Sequence, residues 1–344
     1  MKPRISILLP ARDAAQTLRE ALDSIQTQTL NDWELIAVDD GSRDATPAIL
    51  REYAAQDPRV RIERLDQPHG IPAALNRSAE LARGKLLARM DADDFSLPQR
   101  LELQAELLDA RPDLHVASCL VAPHPDGQQS NGLKAYLRWV NGLTEHESMA
   151  RERFIESPLP HPSVTLRREA LAQAGGYRES GWPEDYDLWL RMFAAGMRFA
   201  KVKRELLLWR DAPARASRAQ PAYSIEAFLR CKVHYIARGP LAQASEFFLW
   251  GAGRYAKQTL RCLLQENQRP QALVDVNPDK IGRSVPNQPG GVPVIAPDAL
   301  PDAAPQRMIL AAVGARGSQR ARNEIRQALA QKGYCEGKNF WCLT

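Results

Sequence analysis

The chain has no cysteine framework. Its five cysteines, Cys119, Cys231, Cys262, Cys335 and Cys342, are odd in number and scattered, with no CxxC pair and no His/Cys spacing suited to zinc. That excludes a disulfide-built scaffold and leads us to expect a reduced, cytoplasmic setting. Long hydrophobic runs are missing too. The N-terminal apolar run covers only residues 5–9, too short for a signal-peptide core or a membrane span. Membrane contact is therefore expected to be peripheral at most, at the inner face. There is no low-complexity tract, and no repeat beyond a loose echo between two βαβ starts. No basic-aromatic pattern argues for nucleic acid. The net charge of +5 is mild and spread over many arginines, which read first as solvated surface. What remains is ordinary for a globular protein: 44% hydrophobic, 25% charged, and 344 residues, enough for about two domains.

The first hundred residues alternate between strand and helix signals. Residues 4–9 read as a buried strand ended by Pro10. Leu18, Ala21, Leu22 and Ile25 recur at helical spacing. Residues 34–38 form a second strand that runs into Asp39-Asp40-Gly41-Ser42, and Thr46-Pro47 opens the next helix. Residues 60–65 alternate as a third strand, 73–82 are helical, and 86–90 form a fourth strand. This βαβαβαβ order predicts an α/β fold whose parallel sheet carries helices on both faces. Ligands on such sheets bind at the carboxyl ends of the strands, and Asp39, Asp40, Asp91 and Asp93 all fall at such ends. From 113 to 165 the pattern weakens, apart from helical spacing at 135–140. Gly175-Gly176-Tyr177 marks a turn and 185–195 a helix. Residues 211–221, with Pro213, Arg215, Arg218 and Pro221, read as a loop, and 225–237 as a spacer helix.

Asp91-Ala92-Asp93-Asp94 is the most informative segment. Carboxylates crowded at a strand end need a countercharge. Oxygen-only ligands favour Mg²⁺ or Mn²⁺, ions that commonly carry a diphosphate alongside the protein's carboxylates. The competing reading is a helix cap ahead of Pro98, and the tetrapeptide alone leaves both open.

The surrounding motifs bear on that choice. Residues 6–13 read Ser-Ile-Leu-Leu-Pro-Ala-Arg-Asp, and Ser24-Ile25-Gln26-Thr27-Gln28-Thr29 follows. Then come Val38-Asp39-Asp40-Gly41-Ser42, Ala74-Leu75-Asn76, Asp91-Ala92-Asp93-Asp94, His161-Pro162-Ser163, Gly175-Gly176-Tyr177 and Glu184-Asp185-Tyr186-Asp187-Leu188-Trp189-Leu190-Arg191. In this order, over about 190 residues, they resemble the family 2 glycosyltransferases, which have the GT-A fold. One departure is Arg12-Asp13, where the family more often has Tyr-Asn.

The resemblance implies a nucleotide-diphosphate sugar donor, a divalent cation and inversion at the sugar carbon. Pro10, Ala11 and Asp13 would shape a loop that offers backbone N–H groups to the nucleotide. Asp39 and Asp40 would accept hydrogen bonds from base or ribose; an Asp-Gly turn facing solvent is the plainer alternative. Asn76, Asp91, Asp93 and His161 would complete the donor site. Asp93 would hold the metal, with Asp91 and Asp94 assisting, and the cation would offset charge on the departing diphosphate. Asp185 is the expected general base and Glu184 its neighbouring candidate, while an N-cap is Asp185's plainer role. His161 would contact phosphate or acceptor, with a structural bond to backbone as the equal alternative. Trp182 and Trp189 would line an acceptor pocket, although Trp189 suits core packing better. Arg210, Arg215 and Ser217 fall where related enzymes often place a diphosphate-contacting loop.

A second βαβ start begins near residue 245. Residues 246–250 form a strand, Gly251-Ala252-Gly253 a tight turn, and a helix runs to 264. Residues 271–276 and 308–313 form further strands and 319–331 a helix. Residues 251–256 fit the G-x-G-x-x-A fingerprint, and Asp275 ends the next strand 24 residues beyond Gly251. Gly251, Gly253, Ala256 and Asp275 would thus hold a nucleotide or NAD(P). The segment resembles the Rossmann-like modules attached to some sugar-modifying enzymes. A binding or regulatory module, a structural or oligomerising domain, and a redox activity all stay open.

The expected organisation is a GT-A domain over residues 1–220 with a mixed, mostly parallel sheet flanked by helices. A helical linker follows over 221–243, then a smaller Rossmann-like α/β domain over 244–344. The expected function is metal-assisted, inverting transfer of a sugar from a nucleotide-diphosphate donor to a hydroxyl of a glycan or lipid-linked acceptor, in polysaccharide biosynthesis. Two rivals stand beside it: a nicotinamide-dependent sugar oxidoreductase acting through the C-terminal domain, and a non-catalytic nucleotide- or glycan-binding protein. A homo-oligomer is compatible with the sequence, which names neither sugar nor linkage.

Overall fold

The computed structural model describes residues 2–125, 130–211, 220–285, 291–314 and 319–344. The chain divides into two compact units. One comprises residues up to His146, Pro158–Ser180, and Glu184 through the strand that follows it. The other comprises Glu147–Ser157, Gly181–Pro183 and the C-terminal part of the chain.

The first unit is built on a sheet of eight strands: β1 (Ile5–Ala11), β2 (Trp33–Asp39), β3 (Val60–Arg64), β4 (Leu86–Arg89), β5 (Phe95–Ser96), β6 (Leu114–His124), β7 (Thr165–Arg167) and β8 (Arg198–Arg210), in the order β3-β2-β1-β4-β7-β6-β8-β5. The helices are α1 (Leu18–Gln26), α2 (Thr46–Gln56), α3 (Ile71–Leu81), α4 (Arg100–Ala110), α5 (Asn131–Gly142), α7 (Arg168–Gln173) and α8 (Glu184–Ala194). Between α5 and α7, α6 (His146–Glu152) carries the chain into the second unit. The first four strands pair in parallel; β7 is antiparallel to β4 and β6, and β5 to β8. Strands covered on both faces must be apolar throughout, and in β1 Ile5, Ile7, Leu8 and Leu9 are fully buried. Each such side chain contributes about 1.5–3 kcal/mol relative to its exposed state.

Five residues, 90–94, join β4 to β5, four positions away in the sheet. At about 4.8 Å per strand that is roughly 19 Å across a flat sheet, close to the full reach of so short a loop. The loop contains a turn at 92–93, so the sheet curls to bring the two strand ends together.

Charge buried at the opposite strand ends is settled locally. Glu34, near the start of β2, accepts from Ser6 Oγ at 2.7 Å, Arg61 Nη1 at 3.0 Å, Arg83 Nε at 2.8 Å and Arg83 N at 2.7 Å. Burial alone would raise its carboxyl, but these donors outweigh it and hold the group below its ordinary value.

The second unit has its own sheet. Helix α9 (Ile225–Arg238) leads into β9 (Glu246–Trp250), α10 (Arg254–Gln265), β10 (Leu273–Val274), β11 (Ser284–Val285), β12 (Val292–Ile295), β13 (Arg307–Ala311), α11 (Gln319–Gln331) and β14 (Phe340–Cys342), with strand order β11-β12-β10-β9-β13-β14. Every pair is parallel except β11–β12. Buried Lys232 on α9 donates to the carbonyls of Ile155 at 2.6 Å and Leu343 at 3.0 Å, tying the 147–157 segment to the chain's last residues.

Several elements differ from the sequence expectation. Strand β1 continues through Pro10 rather than stopping there. Pairing with β4 reaches only Leu8, so on that side Pro10 has no ladder bond to donate. The long strands β6 and β8 fall in stretches without clean alternation: β6 is buried on both faces over much of its length, and irregular register interrupts their pairing. The strand expected over 271–276 shortens to Leu273–Val274, and β12 and β14 add to the sheet.

Candidate active site

The carboxyl ends of β2 and β4 carry the acidic residues. Asp39, buried at the end of β2, accepts the N–H of Ser42 at 3.0 Å and pairs with Arg64 Nε at 3.3 Å. Asp40 divides its carboxylate between the N–H groups of His69 (2.7 Å) and Gly70 (2.9 Å). It thereby fixes the loop that leads into α3. Pro10 and Ala11 end β1 beside them, with Ala11 opposite Asp39. Asp13 has φ +49, a left-handed conformation that Asp and Asn tolerate better than other side chains. Its N–H donates to Ser42 Oγ at 2.9 Å and its Oδ1 accepts from Arg43 N at 2.8 Å. Two neighbouring loops are locked together by this exchange.

After β4 the chain turns through Asp91, Asp93 and Asp94, each offering a carboxylate oxygen within 4.8 Å of the others. An all-oxygen set of this kind suits a hard divalent cation such as Mg²⁺ or Mn²⁺. The loop is held from several sides. Thr17 Oγ1 donates to the Ala92 carbonyl at 3.0 Å. At the end of β8, Arg210 donates its backbone N–H to Asp94 Oδ1 (2.8 Å) and its Nε to the Asp93 carbonyl (2.8 Å), and pairs with Glu20 of α1.

A second cluster comes from residues far along the chain. The His161–Ser163 turn buries His161, whose Nδ1 lies 3.3 Å from Glu184 Oε1 and whose Nε2 lies 3.2 Å from Tyr177 Oη. Burial, then the nearby Arg89, hold the imidazole below its ordinary value, against the pull of Glu184. Burial likewise pushes the Tyr177 phenol up, so it stays protonated. From these directions we assign a chain in which Tyr177 O–H donates to Nε2 and Nδ1–H donates to Glu184. Asp185 is the half-buried second residue of α8, and its Oδ1 accepts the N–H of Tyr186 at 2.7 Å. Asp187 is turned to Arg191 Nε at 2.8 Å, and Arg191 holds the Gly176 carbonyl at 2.8 Å.

Asn76 spends both ends of its amide on the Tyr177 backbone, at 2.9 Å each. Trp189 is fully buried and meets His161 edge-on, so it packs in the core. Trp182 belongs to the second unit, where its ring lies 5.3 Å from His234. Arg215 and Ser217 lie outside the described residues.

Two residues of this region have no place in the sequence reading. Buried Arg100 donates to the carbonyls of Arg89 (3.1 Å) and Pro162 (2.6 Å) and to Ser96 Oγ (2.7 Å), pinning the end of β4 to the His161 turn. Burial pushes its guanidinium down to about 10. Arg89, the last residue of β4, is 2% exposed. The available signal was a charged residue closing an otherwise apolar strand.

In the second unit Gly251 has φ +119, and a Cβ there would meet the Ala312 carbonyl and Val313 Cγ2 at 2.8 Å. Glycine is therefore required at the turn. Gly253 caps α10 with open space around it, and Ala256 is fully buried. Asp275 accepts from Ala252 N at 2.8 Å, Asn277 N at 2.9 Å and Lys280 Nζ at 3.0 Å. Burial would raise its carboxyl, and these donors hold it below its ordinary range.

Comparison with known proteins follows the first unit. Residues 6–175 match the profile of glycosyl transferase family 2. EpsE of Bacillus subtilis, named as a glycosyltransferase, is 30% identical over 228 residues, covering 65% of this chain and 79% of the relative. The amylovoran biosynthesis glycosyltransferase AmsE of Erwinia amylovora is 28% identical over 204 residues, covering 59% and 74%. The crystal structure of S. aureus TarS 1–349 in complex with UDP-GlcNAc shares the fold with a TM-score of 0.55 at 16% identity, covering 69% of this chain and 66% of that one. Among the described residues no helix is long and apolar enough to cross a membrane.

Proposed function

This chain belongs to glycosyl transferase family 2, and from that premise we propose that it is an inverting, metal-assisted glycosyltransferase that uses a nucleotide-diphosphate sugar. The observation that carries the reading is the trio Asp91, Asp93 and Asp94, gathered within 4.8 Å at the carboxyl end of β4. When bound there, a Mg²⁺ or Mn²⁺ ion would offset charge on the departing diphosphate. The β1 and β2 loops, shaped by Asp13, Asp39 and Asp40, would receive the nucleotide.

Asp185 is our choice of general base. Glu184 is already engaged by His161 and is 5% exposed, whereas Asp185 is half-buried at the start of α8. In the proposed step the acceptor hydroxyl oxygen bonds to the sugar carbon as the sugar–phosphate bond breaks. The hydroxyl proton passes to Asp185, and the nucleoside diphosphate leaves with the bonding electrons. The acceptor we propose is a growing surface polysaccharide or lipid-linked saccharide; the relative AmsE is named for amylovoran biosynthesis.

We further assign residues 1–220 to the GT-A domain, 221–243 to a helical linker and 244–344 to a Rossmann-like domain. The three donors to Asp275 favour a structural role for its carboxylate over a ribose contact. The test is thermal stabilisation by UDP, GDP, ADP, NAD and NADP, each with Mn²⁺ and with EDTA. A ligand bound only by the folded state raises the melting temperature by mass action. A metal-dependent shift with one diphosphate is expected; a shift only with a dinucleotide, insensitive to EDTA, would overturn the reading.

A further inference from the structure

Arg89 is a buried cation held by neighbouring acids rather than by directed hydrogen bonds from its Nε and Nη1. Its side chain is 3% exposed, and Nη1 lies 2.5 Å from Asp91 Oδ1. Yet among the described residues neither its Nε nor its Nη1 directs an N–H at an acceptor, so the contact is an ion pair rather than a well-formed hydrogen bond. A guanidinium carries five N–H donors in a fixed fork. Burying one costs several kcal/mol, and the nearby acids, Asp91 foremost, outweigh that cost and hold the guanidinium above its ordinary value. The carboxylates whose charge it feels are Asp91 and Glu184. These belong to both halves of the candidate site: the acidic loop after β4, and the His161–Tyr177–Glu184 cluster at the start of α8. Arg100 fixes the Arg89 backbone by its carbonyl, so the guanidinium is anchored between the two halves.

We infer that Arg89 is a positioning residue that presets the acidic loop for its cation. This rests on the metal-assisted reading above. Asp91, Asp93 and Asp94 repel one another when no cation is present. A fixed positive charge beside Asp91 offsets part of that repulsion and holds its carboxylate in place for a dication. The same charge acts on Glu184, so the geometry of the cation loop and of the base-bearing helix depends on one side chain. Lysine would keep the charge and lose the planar fork; methionine would keep the bulk and lose the charge.

The test is calorimetric binding of UDP and GDP to the full chain, with Mn²⁺ and with EDTA, in the wild type, Arg89→Lys, Arg89→Met and Arg89→Ala. Arg89→Met is expected to weaken Mn²⁺-dependent diphosphate binding by about 10–100-fold, the scale on which groups supporting metal ligands act. Metal-free binding should stay near wild type and Arg89→Lys should fall between. Millimolar guanidinium ion should restore part of the Mn²⁺-dependent binding of Arg89→Ala. Unchanged Mn²⁺ dependence in Arg89→Met, with only a lower melting temperature, would show a merely structural role and overturn the inference. If Arg89→Met does not fold, an unchanged Mn²⁺ dependence in Arg89→Lys does the same. A wild type with no Mn²⁺-dependent binding at all would instead remove the metal-assisted reading, and this inference with it.

Discussion

The side-chain amide of Asn76 holds both backbone groups of Tyr177: Nδ2 donates to its carbonyl and Oδ1 accepts its N–H, each at 2.9 Å. This pair joins α3 to the Gly175-Gly176 turn and so places the Tyr177 hydroxyl against His161. Asn76→Asp exchanges the donor for a second acceptor and leaves the Tyr177 carbonyl unserved. It should cost about 1–3 kcal/mol, read from the urea midpoint. Gly176→Ala should act on the same contact, because Gly176 has φ +69 and its added Cβ would lie 2.9 Å from Asn76 Oδ1. Wild-type midpoints in both variants would mean the clamp contributes nothing.

Asp93→Ala should abolish Mn²⁺-dependent binding of nucleoside diphosphate while leaving the melting temperature without ligand near wild type. Thermal shift with and without EDTA reads both at once. Retained Mn²⁺-dependent binding would remove Asp93 from the proposed cation site.

Asp185→Asn should keep donor binding and lower kcat for transfer by about 10²–10⁴-fold, the range that general-base groups supply. Glu184→Gln should act differently. It retains a hydrogen-bonding group for His161 Nδ1, so a smaller effect on kcat is expected. If Glu184→Gln proved the more damaging, the base would move to Glu184.

His161 gives a pH dependence with a definite sign. Its folded value lies below the ordinary value of 6.5 because burial and then Arg89 disfavour the imidazolium. Below pH 6.5 the unfolded chain therefore takes up a proton that the fold resists. Stability falls as the pH drops from 6.5 toward the depressed folded value, and above 6.5 this contribution is flat. Urea midpoints measured from about pH 8 to about pH 5 should show a shallower decline in His161→Gln than in the wild type. Identical slopes would place the dependence on other groups.

Gly251→Ala should destabilise the second unit by about 1–3 kcal/mol, from the strain of φ +119 and the 2.8 Å approach to the Ala312 carbonyl. Asp275→Asn should also lower its stability, since Lys280 loses its anionic partner. Neither is expected to change kcat for transfer by the full chain. A transfer rate that fell with either variant, at a temperature where both are folded, would overturn that separation.

The fold was legible where chemistry is local. The apolar run at residues 5–9 and the acids closing the second and fourth strands marked the parallel core, because buried strands must be apolar and their ends polar. The strands β6 and β8 were not legible. Charged residues such as Lys201, Lys203 and Arg204 interrupt β8, and the buried Lys201 Nζ finds the Val140 carbonyl only through tertiary contact.

For the candidate site the division is similar. By itself, the sequence determined which acids lie together, because Asp91, Asp93 and Asp94 share one short loop whose spacing forces proximity. Through its family resemblance it also singled out Glu184 and Asp185, the two acids that open α8, as the residues from which a base is proposed. Only the tertiary structure decided which carboxylates are already spoken for: Asp40 by the His69 and Gly70 amides, and Glu184 by His161. Only the tertiary structure, too, set Arg89 between the loop and the helix. A side chain's partners come from elements as much as 190 residues apart, and hydrogen bonding and burial are properties of that packing, not of the spacing of residue types along the chain.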